Sequence, residues 1–593
     1  MRFDNTLGHL GLVCLFAVAA CAPRAAMTPA EPPADWAEST LRGMTLRQKV
    51  AQLVMPRIGG EYVPIGAGAY DRMSTWVREL GVGGVIVTVG PPLEMAVKLN
   101  MLQDMAAVPL LVTADMEHGP GQVLNAGTIL PYGLENGGGT RFPPLMGLGA
   151  TGEERFAREL GRITALEGRA AGVHITFAPV VDVNNNPANP IINTRSFGAD
   201  PALVSRMAAA HIRGIQEHGM LATAKHFPGH GDTGTDSHVH LPLITVDKAR
   251  VDRVELPPYR AAFDAGVAAV MSAHIAFPAL TGDSVPATLN PRLLSGLLRD
   301  ELGFDGIVFT DALDMGAIVE GWGSGQSAVM ALRAGADVLL QMMPDDVPVV
   351  IDAVVDAIGR GELTESRIDR SALRVLRAKQ QLGLHRNARV DIERIPEIVG
   401  APGHQRIAAE AAQRSITVVR NQQDLLPLRA QRVLSIVYTD DFDPVAGRAF
   451  HRELATGVRE LSTVSISGAA DSARLAGLSA RADSADVVLF SPFIRVVAGK
   501  EGIGIEPRVA AAIAAMAARR PTIITAFGNP YVLQQFPAIG TYVLAWAPWD
   551  PSQTAAAHAL LGRTPVSGRL PIPIPPYHRA GEGVQIGAVS AAR

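Results

Sequence analysis

The sequence contains almost no cysteine, no long apolar segment and no excess of one charge. Of its 593 residues, 2 are Cys, at positions 14 and 21, so the chain beyond them can form neither a disulfide nor a cysteine-ligated metal site. The formal net charge of -4 gives no reason to expect a nucleic-acid or anionic-membrane partner. After the N-terminus, no segment reaches the roughly 18 unbroken apolar residues that a transmembrane helix requires.

The chain does contain enough apolar material for large folded cores. Hydrophobic residues make up 48% of it and charged residues 19%, a composition that excludes global disorder. A length of 593 residues exceeds that of one ordinary domain, so two folded domains are expected. None of these quantities determines the oligomeric state.

The N-terminal segment has the features of an export signal. Gly11–Ala20 is an apolar run of signal-peptide length that is too short to span a membrane. It ends in Val-Ala-Ala before Cys21, which resembles a bacterial lipobox with Cys21 as the lipidated first residue; an ordinary signal peptide cleaved nearby is the alternative. We expect residues 1–33 to be a signal peptide and an Ala- and Pro-rich tether, and the protein to be an exported lipoprotein of the bacterial cell envelope, periplasm-facing or at the outer membrane.

Short apolar runs alternate with helical stretches through the first part of the chain, and eight of them are candidate buried strands. They are Val50–Met55, Gly84–Val89, Leu110–Ala114, His174–Pro179, Leu221–Ala224, Ala268–Ala273, Gly306–Thr310 and Ala336–Gln341. Eight strands that alternate with helices predict an α/β fold with a closed (β/α)₈ TIM-type barrel; an open doubly wound sheet is the alternative. The first run is the least distinct, because it could continue the preceding helix.

A second, smaller α/β layered (sandwich) domain is predicted after a polar linker. The linker, residues 386–404, separates the predicted barrel at residues 34–385 from five further apolar runs within residues 405–593. The five runs are Arg432–Thr439, Thr463–Ser467, Val487–Pro492, Thr522–Phe527 and Tyr542–Ala547. They alternate with Ala-rich helical stretches, which is the pattern of a layered domain.

Polar residues stand at or just after the ends of the predicted barrel strands. They are Asp115, Asp182, Lys225, His226, His274 and Asp311. The carboxyl ends of barrel strands meet at one rim, where barrel enzymes carry their active sites. We therefore expect these side chains to converge on one mouth.

The segment from Lys225 to His238 concentrates reactive side chains. It holds three His, one Lys and two Asp, interspersed with Gly and Pro, and such a loop can bring side chains close together. His and Asp could hold zinc or iron. Alternatively, Asp236 could orient His238 as a general acid/base pair. The residue chemistry alone leaves both open, together with a structural loop.

Five motifs are spread over nearly the whole mature chain: Lys225–Thr233 with Asp236-Ser237-His238, Phe177–Val183, Asn193–Gly198, Gly303–Met315 and Ser567–Pro571. Together they resemble the signature of family 3 glycoside hydrolases, in their β-N-acetylglucosaminidase branch. The resemblance implies a retaining enzyme that removes terminal N-acetylglucosamine from β-linked glycans, such as muropeptides or chito-oligosaccharides. It implies no metal and no other cofactor.

The resemblance also implies roles for individual residues. Asp311 matches the nucleophile, which forms a covalent glycosyl intermediate. His238 matches an unusual imidazole acid/base oriented by Asp236; imidazole suits the role because its ordinary pKa of about 6.5 lets it give and take a proton near neutrality. The matches to substrate-binding positions are Asp115, Arg195, Lys225 and His226. The surroundings of Asp115 depart from the family pattern, with Met116-Glu117-His118-Gly119-Pro120 after it.

Three alternatives stay open. An imidazole repels an incoming phosphate less than a carboxylate does, so the site could serve a β-N-acetylglucosaminide phosphorylase. A β-glucosidase or β-xylosidase of the same family would take its acid from the second domain, where Glu501 is the candidate. A catalytically dead carbohydrate-binding lipoprotein would lack a nucleophile or an acid, and neither is missing. No role is predicted for His230 or His274.

The lipobox-like sequence predicts that Cys21→Ala, combined with a cleavable signal peptide, moves the activity from the membrane fraction to the soluble fraction. The substitution removes the thiol that would carry the acyl chains. Activity in fractionated cells measures the effect, with Cys14→Ala as the matched control. A mature N-terminus beyond Cys21, found by mass spectrometry, would show that no lipid anchor exists.

Overall fold

The structure, a computed structural model, describes residues 35–125, 129–130, 134–135, 137–341, 343, 345–430, 432–440, 443, 445–495, 499 and 503–589, with 129–130 and 134–135 described by backbone alone. Cys21, the predicted tether and Glu501 lie outside these residues. Among the helices of the described ranges, none has the length and hydrophobicity needed to cross a membrane.

Eight parallel strands of the first domain close into a barrel. Ten strands are described before residue 345: β1 (Val54–Ile58), β2 (Gly84–Val87), β3 (Leu111–Ala114), β4 (Ile129–Leu130), β5 (Leu134–Glu135), β6 (Ile175–Thr176), β7 (Leu221–Phe227), β8 (Ala269–Ser272), β9 (Ile307–Ala312) and β10 (Val338–Gln341). The barrel order is β1-β10-β9-β8-β7-β6-β3-β2, and β1 pairs with both β10 and β2, so this sheet has no free edge. Strands β4 and β5 form a separate antiparallel pair. The predicted TIM-type barrel is confirmed, and the open sheet is wrong.

Helices surround the barrel and share one apolar core with its strands. The α-helices of this half are α1 (Trp36–Gly43), α2 (Leu46–Ala51), α3 (Gly68–Ser74), α4 (Pro92–Met105), α5 (Leu145–Thr151), α6 (Glu154–Ala170), α7 (Pro201–Gln216), α8 (Lys248–Val254), α9 (Leu256–Asp264), α10 (Pro278–Thr281), α11 (Gly316–Val319), α12 (Ser324–Ala334), α13 (Asp346–Gly359), α14 (Glu365–Gln381) and α15 (Ile395–Ile398). In α6, Phe156, Leu160 and Ile163 are buried at helical spacing, the pattern of a helix that packs on a barrel. Shorter helical segments are the π-helices Thr75–Leu80 and Arg292–Glu301 and the 3₁₀ segments Pro120–Gln122, Asn193–Arg195, Ala287–Leu289 and Ile392–Arg394.

The first strand begins later than the sequence predicted. Val50 and Ala51 belong to the end of α2, and β1 starts only at Val54. A capping box fixes the start of this helix, because Thr45 and Gln48 satisfy each other's free backbone N–H groups. The helix therefore runs into the apolar run that had been assigned to the strand.

The second domain is a six-stranded sheet covered on both faces. Its strands are β11 (Thr417–Asn421), β12 (Arg432–Thr439), β13 (Glu460–Ser467), β14 (Val487–Ile494), β15 (Thr522–Gly528) and β16 (Thr541–Leu544). The order is β11-β16-β15-β14-β12-β13, with β11 antiparallel to β16 and the other pairs parallel. The helices are α16 (Pro402–Ser415), α17 (Arg448–Leu454), α18 (Ser472–Ala482), α19 (Pro507–Ala517) and α20 (Asp550–Leu560), with a 3₁₀ segment at Pro530–Gln535. Two apolar clusters, one on each face, confirm the predicted layered domain.

The second domain lies against the rim of the barrel. The Ala199 N–H donates to the Pro571 carbonyl at 3.0 Å, and the Arg569 N–H donates to the Ala150 carbonyl at 2.9 Å. Both second-domain partners belong to the motif Ser567–Pro571, and Ala199 directly follows the motif Asn193–Gly198. The C-terminal motif therefore docks the domain next to the barrel mouth.

Candidate active site

A cavity of about 920 Å³ lies between the carboxyl rim of the barrel and the second domain. Six of the seven predicted site residues line it: Asp115, Arg195, Lys225, His226, His238 and Asp311. The seventh, Asp236, bonds to the lining residue His238. The structure thus brings the predicted set together at one mouth, at the end of the barrel where parallel strands present their carboxyl termini.

Lys225 is held as a buried cation by two carboxylates. Its Nζ lies 2.6 Å from Asp115 Oδ1 and 2.7 Å from Glu117 Oε1. Its side chain is 3% exposed and that of Glu117 is 6% exposed, whereas Asp115 is 49% exposed toward the cavity. Burial would lower the pKa of Lys225, but the two carboxylates raise it above its ordinary value. The ammonium group of Lys225 therefore stays charged, and Asp115 and Glu117 fix its position.

Glu117 also holds Arg195 in a two-pronged ion pair. Arg195 Nε donates to Glu117 Oε2 at 2.9 Å, and its terminal nitrogen donates to Oε1 at 2.8 Å. Burial would raise the pKa of Glu117, yet Arg195 and Lys225 hold it well below its usual range. One carboxylate thus fixes two cations, and the planar fork of Arg195 is oriented as well as neutralised.

Asp182 accepts hydrogen bonds from the segment 225–238, here called the signature loop. It contacts the imidazole ring of His226 and the backbone of His230. Its Oδ2 accepts from His226 Nδ1 at 2.8 Å, and its Oδ1 accepts from the His230 N–H at 2.7 Å. The carboxylate is fully buried. Because Nδ1 of His226 is occupied in this way, its Nε2 faces the cavity side, 3.5 Å from Arg195.

His238 and Asp236 form the predicted pair. His238 Nδ1 and the His238 backbone N–H contact Asp236 Oδ1 at 2.7 and 2.9 Å. The other carboxylate oxygen accepts from the backbone N–H of Gly499, in the second domain, at 2.8 Å. Burial would raise the pKa of Asp236, but these hydrogen bonds lower it to about 2. The carboxylate therefore remains ionised and keeps Nδ1 of His238 engaged.

The loop that carries this pair is fastened to the start of α11. The N–H groups of Gly316 and Ala317 donate to the carbonyls of His238 and Ser237 at 3.1 and 3.3 Å. A Cβ at Gly316 would meet the His238 carbonyl oxygen at 2.9 Å, so only glycine allows this approach. The His238 backbone is thereby fixed next to the strand end that carries Asp311.

Asp311 lies near the end of β9 among three histidines. Burial would raise its pKa, but His274, His226 and His238, together with the N–H of Ala312 at 2.8 Å, lower it to about 2. His274 itself is buried. Its Nδ1 is hydrogen-bonded to the Thr288 hydroxyl and its Nε2 to the Ala312 carbonyl, both at 2.8 Å. Its contacts make it a support for the strand end that carries Asp311, a role the sequence did not suggest.

The histidines of the signature loop have separate partners. The ring of His226 is hydrogen-bonded to Asp182, and that of His238 to Asp236. The third ring, that of His230, is hydrogen-bonded through Nε2 to Ser237 Oγ at 3.0 Å. Burial lowers the pKa of His230 to about 4, so it is neutral at physiological pH. Among the described residues, no group of three or more His, Cys, Asp or Glu side chains is arranged to hold a metal ion.

The second domain fixes the loop that carries Arg195. Asn184 Nδ2 donates to the Tyr531 hydroxyl at 3.0 Å, and Asn193 Nδ2 donates to Asn529 Oδ1 at 3.2 Å. Asn193 adopts φ of 40°, a left-handed conformation that Asn tolerates better than most residues. The polar turn before Arg195 is thus an interdomain contact.

Sequence reasoning missed Glu117 as a site residue and missed the second domain's part in the cavity. Glu117 stood in a segment that departs from the expected pattern, so no motif identified it. Its signal was a charged residue two positions after the strand-end Asp115. The cavity is also lined by four residues of the second domain: Arg495, Gly528, Trp546 and Trp549. No sequence pattern identifies them as site residues, because only the docking of the two domains brings them to the cavity.

Comparisons with known proteins agree with this geometry. Residues 45–378 match the model described as Glycosyl hydrolase family 3 N terminal domain. The chain is 29% identical over 563 residues to a Beta-N-acetylglucosaminidase/beta-glucosidase of Cellulomonas fimi, covering 91% of this chain and 95% of that protein. A solved glycoside hydrolase family 3 beta-N-acetylglucosaminidase from Paenibacillus sp. str. FPU-7 superposes with a TM-score of 0.79 at 33% identity, over 90% of this chain and 99% of that one. The structure of Beta-glucoside phosphorylase BglX bound to 2FGlc gives a TM-score of 0.79 at 26% identity, over 91% and 96% of the two chains.

The shared carboxylate predicts that Glu117→Gln weakens ligand binding and stability together. In this variant two buried cations lose their common counter-charge. We expect the free energy of unfolding to fall by about 3–5 kcal/mol and KM for an aryl glycoside to rise about 10- to 100-fold. Denaturant unfolding and steady-state kinetics measure both. The pKa of Glu117 lies well below its usual range, so the carboxylate stays ionised from pH 5 to 8. The difference in unfolding free energy between variant and wild type should therefore stay constant over this range. Glu410→Gln, an exposed ion-pair partner of Arg155, is the control; equal effects of the two variants would contradict the prediction.

Proposed function

The chain belongs to glycosyl hydrolase family 3 and is a glycoside hydrolase, and from this premise we propose that it is a retaining exo-β-N-acetylglucosaminidase. Its substrates are β-linked glycans with a terminal N-acetylglucosamine, muropeptides or chito-oligosaccharides. One observation carries the proposal: Asp311 and His238, the latter backed by Asp236, face the same cavity as a buried set of hydrogen-bonding groups. Relatives named β-N-acetylglucosaminidase support the choice of sugar.

Asp311 is the nucleophile of the first step. With a pKa of about 2, it is a carboxylate at neutral pH. One of its oxygens bonds to the anomeric carbon while the bond from that carbon to the leaving-group oxygen breaks. The product of this step is a glycosyl ester on Asp311.

His238 supplies and later removes the proton. Its Nδ1 is held by the Asp236 carboxylate, so Nε2 is the atom that transfers the proton. Nε2 protonates the departing oxygen in the first step and takes a proton from the attacking water in the second. Asp236 stays ionised throughout and stabilises the imidazolium, as expected for a carboxylate with a pKa of about 2. Two displacements at the same carbon give net retention.

The base of the cavity suits a chain end. Ile86, Met271 and Leu340, from β2, β8 and β10, line the cavity, and because side chains fill the interior of a TIM barrel, no glycan can pass through it. Asp115 accepts from sugar hydroxyls, while Arg195, Lys225 and His226 present nitrogen atoms to the same ring. A blind pocket with such a lining favours removal of one terminal sugar.

Phosphorolysis is the second candidate, and two observations favour considering it. The acid/base is an imidazole, which adds no second negative charge against a phosphate nucleophile. A solved structure named Beta-glucoside phosphorylase has the same fold at 26% identity. In that reaction phosphate takes the place of water at the glycosyl-Asp311 ester. The neutral-sugar alternative depends on Glu501, which lies outside the described residues.

We also propose that the enzyme is exported and anchored at Cys21. The support for this is the apolar run followed by the lipobox-like sequence. A substrate of the cell wall is compatible with this location.

Replacement of the nucleophile should abolish turnover without unfolding the protein. Asp311→Asn removes the attacking charge, and we expect kcat on an aryl β-N-acetylglucosaminide to fall by about 10³-fold or more, while the exposed Asp305→Asn control remains active. NMR of the wild-type reaction should show the β-anomer of free N-acetylglucosamine first, with and without phosphate. Inverted product would refute the mechanism, and sugar 1-phosphate would identify a phosphorylase.

Replacement of the proposed acid should have an effect that depends on the leaving group. His238→Ala should lower the rate by about 10²–10⁴-fold on a poor leaving group and far less on dinitrophenolate, which needs little protonation. Asp236→Ala should give a milder form of the same profile, because it orients the imidazole without transferring the proton. His240→Ala is the matched control, since His240 lies on the same loop but is exposed and pairs with Glu320. A leaving-group effect in Glu501→Ala with none in His238→Ala would instead indicate a neutral-sugar glycosidase.

A further inference from the structure

His230 is the histidine of the signature loop to which neither the sequence nor the proposed mechanism gives a role. It is buried and lines the active-site cavity. Its Nε2 lies 3.0 Å from Ser237 Oγ, and its ring meets that of His226 edge-on, with the centroids 5.6 Å apart. Burial lowers the pKa of His230 to about 4, so its contact with Ser237 is a hydrogen bond between neutral groups.

The backbone of His230 is fixed on both sides. Its N–H donates to Asp182 Oδ1 at 2.7 Å, and its carbonyl accepts from Asn189 Nδ2 at 2.9 Å. The preceding residue, Gly229, has φ of 148°, and a Cβ at this position would lie 2.5 Å from Glu255 Cγ. Only glycine therefore allows the loop to pack this closely on Glu255. These contacts make His230 a fixed point of the signature loop.

The loop turns outward after His230 and returns at Ser237. Gly234 and Thr235 are exposed, whereas the chain is buried again at Ser237. Exposed turns of this kind move more than the segments that flank them. The hydrogen bond between His230 and Ser237 joins the two ends of the turn, so the exposed part can move without displacing the residues that follow it.

Ser237 lies in the chain between Asp236 and His238, so its orientation determines how the two members of the acid/base pair meet. Its carbonyl accepts from the Ala317 N–H at 3.3 Å, while its hydroxyl contacts His230. A residue held by its carbonyl alone can still tilt, and the second contact, through the side chain, opposes this movement. The ring of His238 therefore keeps one direction relative to the cavity that it lines.

We propose that His230 is a positioning residue for the acid/base pair: through Ser237 it holds the segment 236–238 in the orientation that directs His238 into the cavity. The proposal rests on the proposed function, because it gives His230 a task only if His238 transfers the proton. His230 itself transfers no proton. A displacement of about 1 Å can cost about 100-fold in rate, so the loss of one hydrogen bond at this place should be visible in the kinetics.

The test compares the phenyl and dinitrophenyl β-N-acetylglucosaminides, of which only the first needs protonation of its leaving group. Ser237→Ala and His230→Phe should each lower kcat/KM for the phenyl glycoside about 10- to 100-fold, and for the dinitrophenyl glycoside by less than about 3-fold. Ser237→Thr keeps the hydroxyl and should stay near the wild-type values. Thr235→Ala, which removes an exposed hydroxyl from the same loop, is the matched control and should change neither value.

Combined variants test whether His230 acts through Ser237. The double variant His230→Phe/Ser237→Ala should be no slower on the phenyl glycoside than the slower single variant, because both substitutions break the same hydrogen bond. When either substitution is added to His238→Ala, it should cause no further loss on this substrate, since the group that it positions is already absent. Denaturant unfolding of each variant measures any loss of stability separately.

The contrary outcomes are distinct. Equal losses on the two glycosides would overturn the proposal, because they would assign His230 to sugar binding or to the fold. Losses that multiply in the double variant, or wild-type kinetics in Ser237→Ala, would also overturn it. Failure of the proposed function would appear separately, as a His238→Ala variant without a leaving-group effect or a wild-type enzyme that cleaves neither glycoside, and the positioning role would fall with it.

Discussion

The site depends on the cost of burying charge. Lys225 and Arg195 can stand as cations at the base of the cavity only because Glu117 contacts both of them and Asp115 contacts one. These ion pairs also restrict the movement of the two cationic side chains, since the shared Glu117 carboxylate determines where both of them point. A sugar that replaces water in this pocket meets groups that are already oriented, which reduces the ordering cost of binding.

The histidines show how one residue type takes different roles through its partners. His226 is held by a fully buried carboxylate, His230 is buried on a hydroxyl, and His274 supports a strand end through a carbonyl. His238 combines a carboxylate on Nδ1 with a partly exposed ring at the cavity. It is this combination that suits proton transfer, because the ring needs both a fixed orientation and access to the substrate.

The second domain acts on the barrel's site at several points. Gly499 donates to Asp236, Tyr531 accepts from the loop before Arg195, and Trp549 stacks on His118. Together these contacts fix the acid/base carboxylate, the substrate loop and the outer wall of the cavity. Barrel loops usually carry function because they vary freely; here three of them are restrained by a neighbouring domain, which makes the cavity a property of both.

The barrel, the layered second domain and the convergence of the strand-end residues could all be predicted from the residue pattern alone. Apolar periodicity specifies strands and helices locally, and parallel strands bring their carboxyl ends to one rim whatever the details of packing. It placed the start of β1 too early, because an apolar run alone does not separate a capped helix end from a strand. The folded chain was needed to show that Glu117 is the shared counter-ion, that His274 supports the end of β9, and that Arg495 and Trp549 line the active-site cavity. Those assignments depend on contacts between residues far apart in the chain, and on a docking angle between domains that no local pattern encodes.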